Sequence, residues 1–268
     1  MMEERSEGVI LALIGMLLYG LEPVVISYNP VNPISFAFFS AFLASLILLP
    51  FANFEEVKVN WKRGLFIGFF GTFLAYLAYS FGTKMSSSVN AALITRTEVL
   101  FSFILSYVIL GEAISKSRIA YSTLVIIGVV LVMTQGKRVT LNPGDGLLLL
   151  VPLFWQMGHV IAKRTKAGPQ TIALLRNSFG ALFLFVPALL TGISFTLYSV
   201  VEGVIIALGQ LIWYSAIKRI DLSLATAIIT PAPAVAIGIA LITGTPVTPW
   251  HIFGFLFITV GTLGLTRD

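Results

Sequence analysis

Four charged side chains stand inside long apolar stretches of the sequence and are the first candidates for chemistry: Glu22, Arg96, Glu98 and Arg176. A charged side chain at the centre of a bilayer is unfavourable by about 2.5–3.5 kcal/mol on insertion scales, so such a residue indicates function by default. Arg96 and Glu98 are two positions apart, which separates them by about 200° around a regular helix. Each is therefore expected to need a partner on another helix.

Two opposite charges are available as those partners. The sequence predicts an ion pair between Glu98 and Arg176, or between Arg96 and Glu22. Such a pair either fixes the packing of helices or contacts a solute, and both roles stay open. A carboxylic acid in a medium of low dielectric constant favours its neutral form. Proton coupling at Glu98 or Glu22 is therefore a further hypothesis, which a neighbouring arginine would oppose.

A second group of candidates is aromatic or polar. Trp155 and His159 are four residues apart on one face of a helix, and Gln156 lies beside them. An aromatic side chain with a hydrogen-bonding neighbour suits an amphipathic organic molecule. His159 is close to a predicted cytoplasmic helix end, so a solvated histidine is the alternative. Further residues predicted to contact a solute are Tyr79, Asn177, Trp213 and Tyr214.

Two prolines fall in the middle of one apolar segment. Pro231 and Pro233 each remove a backbone hydrogen bond and clash with the preceding helical turn. In a membrane the carbonyl groups that such a break frees are tolerated only where protein or water satisfies them. We interpret the two prolines as a discontinuous helix and a hinge beside a cavity, with a simple kink as the alternative.

Metal, thiol and cofactor chemistry is not indicated. The chain has no cysteine, its two histidines, His159 and His251, fall on different segments, and no phosphate-binding loop is present. We therefore expect no metal, no cofactor and no catalytic residue, and this argues against an intramembrane enzyme. The net charge of +5 is attributed to loops on the cytoplasmic side rather than to binding of nucleic acid.

Composition indicates which elements must position these residues. Apolar residues occupy 57% of the 268 positions and charged residues 11%, against about a quarter charged in a soluble domain. Since about 20 residues of helix span a bilayer, the apolar runs predict an all-α integral membrane protein with ten transmembrane helices. The predicted segments are 8–27, 33–51, 62–82, 88–110, 117–135, 145–163, 169–190, 199–217, 222–242 and 249–266.

The sequence also contains a duplication. Residues 79–95 and 214–230 are identical at six of seventeen aligned positions, and glycines and prolines in other segments match as well. We predict two repeats of five helices, residues 1–138 and 139–268. An odd number of crossings makes the second repeat enter the membrane from the opposite side, so the repeats are inverted, and the site of such a fold lies at their seam.

The distribution of basic residues predicts the orientation of the helices. Of the 17 Lys and Arg residues, twelve fall on the side of the N-terminus, three on the other side and two inside the predicted spans. Because cytoplasmic loops carry the excess of Lys and Arg, both termini are predicted to lie in the cytoplasm, with the chain in the cytoplasmic membrane.

One segment and its exit resemble a known family. The run Ala91-Ala-Leu-Ile-Thr-Arg-Thr-Glu98-Val, followed by Ile-Leu-Gly111-Glu112, is similar to the signature of EamA-type transporters of the drug/metabolite transporter superfamily. The resemblance implies ten helices in inverted repeats, a central cavity lined by helices one to four and six to nine, and peripheral helices five and ten. It also implies export or exchange of small polar or amphipathic metabolites.

The chain departs from that family pattern in two places. Val99 stands where the family usually has proline, and the second copy has Pro231-Ala-Pro233 without an acidic residue. These departures argue against a mechanism that uses paired carboxylates from both repeats. The copies diverge immediately after Thr95 and Thr230, and we predict the functional site at that divergence.

These observations favour a secondary transporter that moves a small organic solute, such as an amino acid or a drug-like molecule, by alternating access. Because no ATP-binding motif is present, such transport would be driven by gradients or run as exchange. The expected partners are the solute and the lipid bilayer, and a homodimer through helices five and ten is a further hypothesis. The alternative is a membrane scaffold or sensor of the same fold that transports nothing.

Overall fold

The computed structural model of the protein describes residues 2–110, 116–136, 142–220, 225 and 228–265. Helices make up nearly all of this part of the chain, which contains no β-strand. The predicted all-α class is confirmed. The helices are α1 (Met2–Tyr28), α2 (Pro33–Leu48), α3 (Phe54–Gly68), α4 (Ala75–Met85), α5 (Ser88–Ile94), α6 (Glu98–Leu110), α7 (Lys116–Thr134), α8 (Pro143–Lys163), α9 (Pro169–Thr191), α10 (Leu197–Arg219), α11 (Pro233–Thr243) and α12 (Pro249–Leu265).

Several of these helices have the length and composition of membrane spans. Six helical segments are long and apolar enough to cross a bilayer, while α7, α11 and α12 contain shorter apolar helices. Large apolar side chains on the outside, such as Leu190 and Ile242, are more than four-fifths exposed, as lipid-facing residues are. The chain is therefore a multi-pass membrane protein. The six segments are Glu4–Tyr28, Pro33–Phe51, Phe54–Met85, Pro143–Ala162, Pro169–Thr191 and Leu197–Arg219.

The starts of the helices follow from local sequence. Pro33 and Pro143 begin α2 and α8, where the missing N–H group needs no partner. The asparagine before each proline caps its helix, because the side-chain oxygens of Asn32 and Asn142 accept hydrogen bonds from the backbone N–H groups of the first turn. These caps fix where the chain enters each helix and therefore which face of the helix is turned inward.

Three interruptions lie in the middle of crossings. A π-helical turn, Phe69–Leu74, joins α3 to α4, and a 3₁₀ turn, Thr95–Thr97, joins α5 to α6. Ahead of α11 the chain makes a turn at residues 230–232, which is where the two prolines predict a break. The turns at 95–97 and 230–232 occupy equivalent positions of the duplicated segment, 135 residues apart.

The helices pack in a regular set of pairs. α1 lies along α10, α4 along α8, α2 along α9 and α7 along α12. α2 also packs on α10, and α3 packs on α9. The buried apolar side chains of these helices form one large cluster, and small residues such as Ala37, Ala41 and Ala44 of α2 are fully buried in it. Small residues at these positions let the helices approach closely.

Two glycines make matching close contacts in this packing. A Cβ atom on Gly68 of α3 would lie 2.9 Å from the carbonyl oxygen of Arg176 on α9. A Cβ atom on Gly203 of α10 would lie 3.1 Å from the carbonyl oxygen of Ser40 on α2. Neither space accepts a side chain, so glycine is required where α3 crosses α9 and where α10 crosses α2.

The pair of α7 and α12 shows the same pattern. A Cβ atom on Gly128 would lie 2.8 Å from the carbonyl oxygen of Gly254, and one on Gly261 would lie 2.8 Å from that of Tyr121. These glycines allow the two helices to touch through their backbones. Two residues quoted for the family resemblance, Gly111 and Glu112, lie outside the described residues.

Candidate functional site

A small cavity lies among the helices, on the side of the breaks. Helices α1, α4, α6, α8, α9 and α10 contribute to its wall, together with the turns at 95–97 and before residue 230. The lining residues are Tyr19, Glu22, Tyr76, Arg96, Glu98, Trp155, His159, Arg176, Ile206, Gln210, Trp213 and Ile229.

Many of the predicted residues meet at this cavity. Seven of them line it directly, and Tyr79, Gln156 and Tyr214 contact lining residues from behind. Asn177 is one layer further out, where its Nδ2 atom donates to Oε1 of Gln210 at 2.8 Å and to the carbonyl oxygen of Ala173 at 2.8 Å. The seven are Glu22, Arg96, Glu98, Trp155, His159, Arg176 and Trp213.

Glu98 is held by two residues of α8. The Nε2 atom of Gln156 donates to its Oε1 at 2.7 Å, and Nδ1 of His159 lies 3.6 Å from the same oxygen. The 3₁₀ turn Thr95–Thr97 ends at Glu98, so the carboxylate belongs to the first turn of α6. The three residues predicted independently on two segments therefore form one buried group.

Arg176 is the centre of a second group. Its Nη2 atom donates to the carbonyl oxygen of Gly71 at 2.6 Å, and its Nε atom donates to Oγ1 of Thr72 at 3.4 Å. Its Nη1 atom donates to the hydroxyl of Tyr214 at 3.4 Å and lies 3.3 Å from Nε2 of His159. Gly71 and Thr72 belong to the π-helical turn, a deformation that is frequent at functional sites.

Neither of the two predicted ion pairs forms. Arg176 bonds to neutral oxygens, and Arg96 makes one long hydrogen bond, from Nη2 to Oγ1 of Thr95 at 3.5 Å. Within the part of the chain that the structure describes, neither guanidinium group lies within 4.0 Å of a carboxylate. The 3₁₀ turn also brings Arg96 and Glu98 to the same cavity, because 120° per residue in a 3₁₀ helix replaces the regular 100°. The two side chains do not pair with each other, and Glu98 has its hydrogen-bond partner, Gln156, on another helix.

Glu22 has a tyrosine as its partner. The hydroxyl of Tyr76 donates to Oε1 of Glu22 at 2.8 Å, and both side chains are almost fully buried. Tyr19 lies one helical turn before Glu22 on α1 and donates from its hydroxyl to the carbonyl oxygen of Gly209 at 3.1 Å. The spacing of Tyr19 and Glu22 on one face of α1 is the signal that could have identified Tyr19 from the sequence.

Aromatic rings form much of the wall. Tyr79 packs edge-on against Trp155 with ring centroids 5.5 Å apart, and Tyr19 packs edge-on against Trp213 at 6.3 Å. The ring of His159 lies 6.3 Å from that of Trp213. His159 is thus partly buried between aromatic rings and charged groups.

Four buried nitrogen atoms of the lining residues lack a hydrogen-bond partner among the described protein atoms: Nε of Arg96, Nε1 of Trp155, Nε2 of Gln210 and Nε1 of Trp213. All four are donors. Buried donors are nearly always paired in proteins. The residues that line the cavity therefore carry four donors that the described part of the protein leaves unpaired.

The broken helix ahead of α11 adjoins this cavity. Ile229, which lines it, immediately precedes the turn at 230–232, and Pro233 begins α11. The break that Pro231 and Pro233 predict is therefore present, and it lies next to the site. A hinge function for these prolines stays a prediction.

Comparison with protein families gives a match over nearly the whole chain. A model described as the EamA-like transporter family matches residues 6–134 and residues 142–267. A crystal structure of another protein has the same fold, with a TM-score of 0.72, 98% coverage of both chains and 16% sequence identity.

Three curated relatives carry the name of uncharacterized transporters. YyaM of Bacillus subtilis (strain 168) is 27% identical over 256 residues, which is 88% of this chain and 84% of that protein. A protein of Methanothermobacter thermautotrophicus is 26% identical, and the match covers 70% of this chain and 59% of the relative. One of Archaeoglobus fulgidus is also 26% identical, with coverages of 66% and 56%.

Proposed function

Because this chain belongs to the EamA-like transporter family, we propose that it is a secondary transporter that exports or exchanges a small carboxylate-bearing organic solute, an amino acid or a similar molecule. The solute occupies the cavity between the two halves. Transport proceeds by alternating access, with the cavity opening to one side of the membrane at a time. The observation that carries this proposal is the donor-rich, aromatic wall of the cavity.

The charges of the wall favour a carboxylate. Arg96 and Arg176 bring two positive charges to the cavity without a carboxylate within 4.0 Å in the described part of the chain. Arginine donates two parallel hydrogen bonds to a carboxylate, which makes it the preferred residue for this group. The Nε atom of Arg96 and the Nε1 atoms of Trp155 and Trp213 have no hydrogen-bond partner among the described residues. An acidic group of the solute would satisfy these atoms.

The remaining wall favours an ammonium group and an apolar body. Glu22 and Glu98 each accept one side-chain hydrogen bond, at 2.8 and 2.7 Å, and have further acceptor capacity. The rings of Tyr19, Trp155 and Trp213 present apolar and cation-binding faces. A solute with both charges and an organic side chain matches this arrangement better than a sugar does.

The proposed architecture is ten transmembrane helices in two inverted repeats, residues 1–138 and 139–268. The family model matches once in each half. The glycine contacts support the same relation, because each residue pair has its counterpart in the other half. Gly68 and Arg176 correspond to Gly203 and Ser40 at the offsets of 135 and 136 residues that align the repeats.

The proposed mechanism uses the broken crossings as moving parts. Both termini lie in the cytoplasm, and α7 and α12 are peripheral, where they could also mediate a homodimer. Pro231 and Pro233 interrupt the crossing that corresponds to α5 and α6, so both halves have a break at this equivalent position beside the cavity. Rocking of one half against the other would bend the chain at these two turns.

A binding screen tests the class of solute. Purified protein is heated with amino acids, sugars, nucleosides or cationic drugs, and a binder raises the melting temperature in proportion to the logarithm of its concentration above Kd. We expect an amino acid or a similar carboxylate to do so. Stabilisation by cationic drugs or sugars but by no carboxylate would contradict the proposal.

A matched pair of tryptophan variants tests whether the solute binds in the cavity. Trp155→Phe keeps an aromatic ring but removes the indole N–H group of a residue that lines the cavity. Trp61→Phe makes the same change at a half-exposed surface residue. Affinity for the binder should fall in the first variant and not in the second. Counterflow of the labelled binder into proteoliposomes then separates transport from sensing, because a scaffold or sensor would bind the solute without flux.

A further inference from the structure

One buried carboxylate takes no part in the cavity wall. Glu202 lies in α10, five residues after its first residue, and is fully buried. Neither Oε1 nor Oε2 has a hydrogen-bond partner among the described residues, and no basic side chain among them lies within 4.0 Å. Glu22 and Glu98, by contrast, each accept a hydrogen bond from a side chain.

Buried hydroxyl groups on α10 and α2 share with Glu202 the lack of a hydrogen-bond partner among the described residues. Ser199 precedes it by one helical turn, on the same face of α10. The next residue, Gly203, lies against the carbonyl oxygen of Ser40, so this face of α10 packs directly on α2. The hydroxyls of Ser199, Ser40 and Ser80 are fully buried and have no hydrogen-bond partner in the described chain. The Glu202 carboxylate and these three hydroxyls are therefore all without a hydrogen-bond partner among the described residues.

The charged and titratable groups around Glu202 do not neutralise it. From α1, Glu22 acts on it with the same charge. From α4, Tyr76 and Tyr79 are within electrostatic range, and α2 has no titratable residue. On α10 itself the neighbour is Tyr198, which is exposed to the outside.

The arginine of the packed helix α9 is too distant to compensate. Arg176 reaches α10 at Tyr214, to which it donates a hydrogen bond. Tyr214 is twelve residues after Glu202, which is about 18 Å along the helix axis. Arg176 forms no ion pair with Glu202 in the described chain, so it does not offset the loss of hydration that a fully buried carboxylate suffers.

The internal duplication shows that packing does not require an acid at this position. At the offset of 135 residues that relates Gly203 to Gly68, the counterpart of Glu202 is Ile67. Ile67 is fully buried beside Gly68 and fills the same type of space. An apolar side chain therefore satisfies this position of the fold, and the carboxylate of Glu202 serves another purpose.

We propose that Glu202 is the binding site of a monovalent cation, a proton or a sodium ion, supplied by the solution beside the solute cavity. Either cation supplies the positive charge that the protein does not provide. A proton would remove the negative charge from the buried carboxyl group, and a sodium ion would be bound by the carboxylate oxygens. If the chain is a transporter, as proposed above and as this last step requires, Glu202 binds the ion whose gradient drives transport of the solute.

Infrared spectroscopy of the purified full chain in lipid nanodiscs tests whether Glu202 binds a proton. A protonated buried carboxylic acid gives a C=O stretching band that shifts in D₂O, and we expect such a band in the wild-type protein and its loss in Glu202→Gln. Glu55→Gln is the matched control, because Glu55 is exposed and paired with Lys58 at 2.7 Å. Should Glu202→Gln fail to fold, Glu202→Ile repeats the test with the side chain of the counterpart position.

Thermal unfolding tests whether Glu202 binds a sodium ion. If the site binds sodium, NaCl should raise the melting temperature of the wild-type protein relative to choline chloride at equal ionic strength, and Glu202→Gln should lose this shift. An ionised Glu202 across the neutral pH range, together with no difference between NaCl and choline chloride, would overturn the proposal. Neither measurement needs a solute, so both stand apart from the flux assay on which the proposed transport function depends.

Discussion

Gln156 and Glu98 join an unbroken helix to a broken one: the amide of Gln156 on α8 donates to the carboxylate of Glu98 at the first residue of α6, at 2.7 Å. Glu98 is buried, and its carboxylate would otherwise lose hydration without replacement. The bond therefore holds the second part of the crossing α5 to α6 against the other half of the molecule.

Replacing Gln156 with leucine should lower the free energy of unfolding by about 1.5–3 kcal/mol, which is typical for a hydrogen bond to a charged group. Denaturant unfolding in detergent measures this change. The same substitution in a Glu98→Gln background should have a smaller effect, because the charge is absent. Equal losses in both backgrounds would show that the two side chains do not stabilise each other.

Replacing Arg176 with lysine should weaken binding of the carboxylate solute about ten- to hundred-fold, since a charge-assisted hydrogen bond contributes about 1.5–3 kcal/mol. Lysine retains the charge but cannot reproduce the planar set of donors that bonds Gly71 and Tyr214. Calorimetric titration with the solute from the binding screen measures the loss. Arg63→Lys, at an exposed arginine that bonds the carbonyl oxygen of Arg164, should bind normally.

Gly68→Ala and Gly203→Ala should each destabilise the protein by about 1–3 kcal/mol, because the added methyl group meets the backbone of a packed helix. Gly238→Ala is the control: a Cβ atom there meets nothing within 4 Å, and alanine is the better helix former. Thermal unfolding compares the three. A neutral Gly203→Ala beside a destabilising Gly68→Ala would contradict the matching of the two halves.

Pro231→Ala combined with Pro233→Ala should slow counterflow of the solute, because a continuous helix could replace the turn at 230–232. The control is Pro246→Ala, in the loop between α11 and α12. Turnover that matches the wild-type rate in the double variant would remove the hinge role and leave the break as a packing feature.

The absence of cysteine makes the orientation directly measurable. Ile193→Cys places a thiol in the exposed loop between α9 and α10, and Lys62→Cys places one on exposed α3. With both termini in the cytoplasm, a membrane-impermeant thiol reagent should label the first variant in intact cells. The second should react after permeabilisation. The reverse pattern would invert the orientation.

Most residues of the cavity wall could be predicted from the sequence, because charged and polar aromatic residues are rare inside apolar runs and therefore stand out. The partners of those residues could not be predicted. The bonds of Arg176 depend on a π-helical turn at Gly71 and Thr72, and the position of Glu98 depends on a 3₁₀ turn, neither of which periodicity reveals. Partner choice is a matter of tertiary geometry.

Two further residues, Gln210 and Glu202, could not be identified from the sequence. Gln210 is a polar residue in an apolar helix, and its hydrogen bond from Asn177 depends on the packing of α9 and α10. Glu202 is close to the end of a predicted segment, where an acidic residue is ordinarily expected to meet water. Its complete burial follows from the packing of α2 and α10 through Gly203, which sequence periodicity does not encode.

The equivalent turns at 95–97 and 230–232 differ in the backbone donors that they contain. In the first turn the N–H group of Glu98 donates to the carbonyl oxygen of Thr95, so the chain stays hydrogen-bonded through the break. In the second turn Pro231 and Pro233 have no N–H group to donate. Two breaks at equivalent positions of the halves therefore differ in stiffness, because the second lacks two backbone hydrogen bonds that the first is able to form.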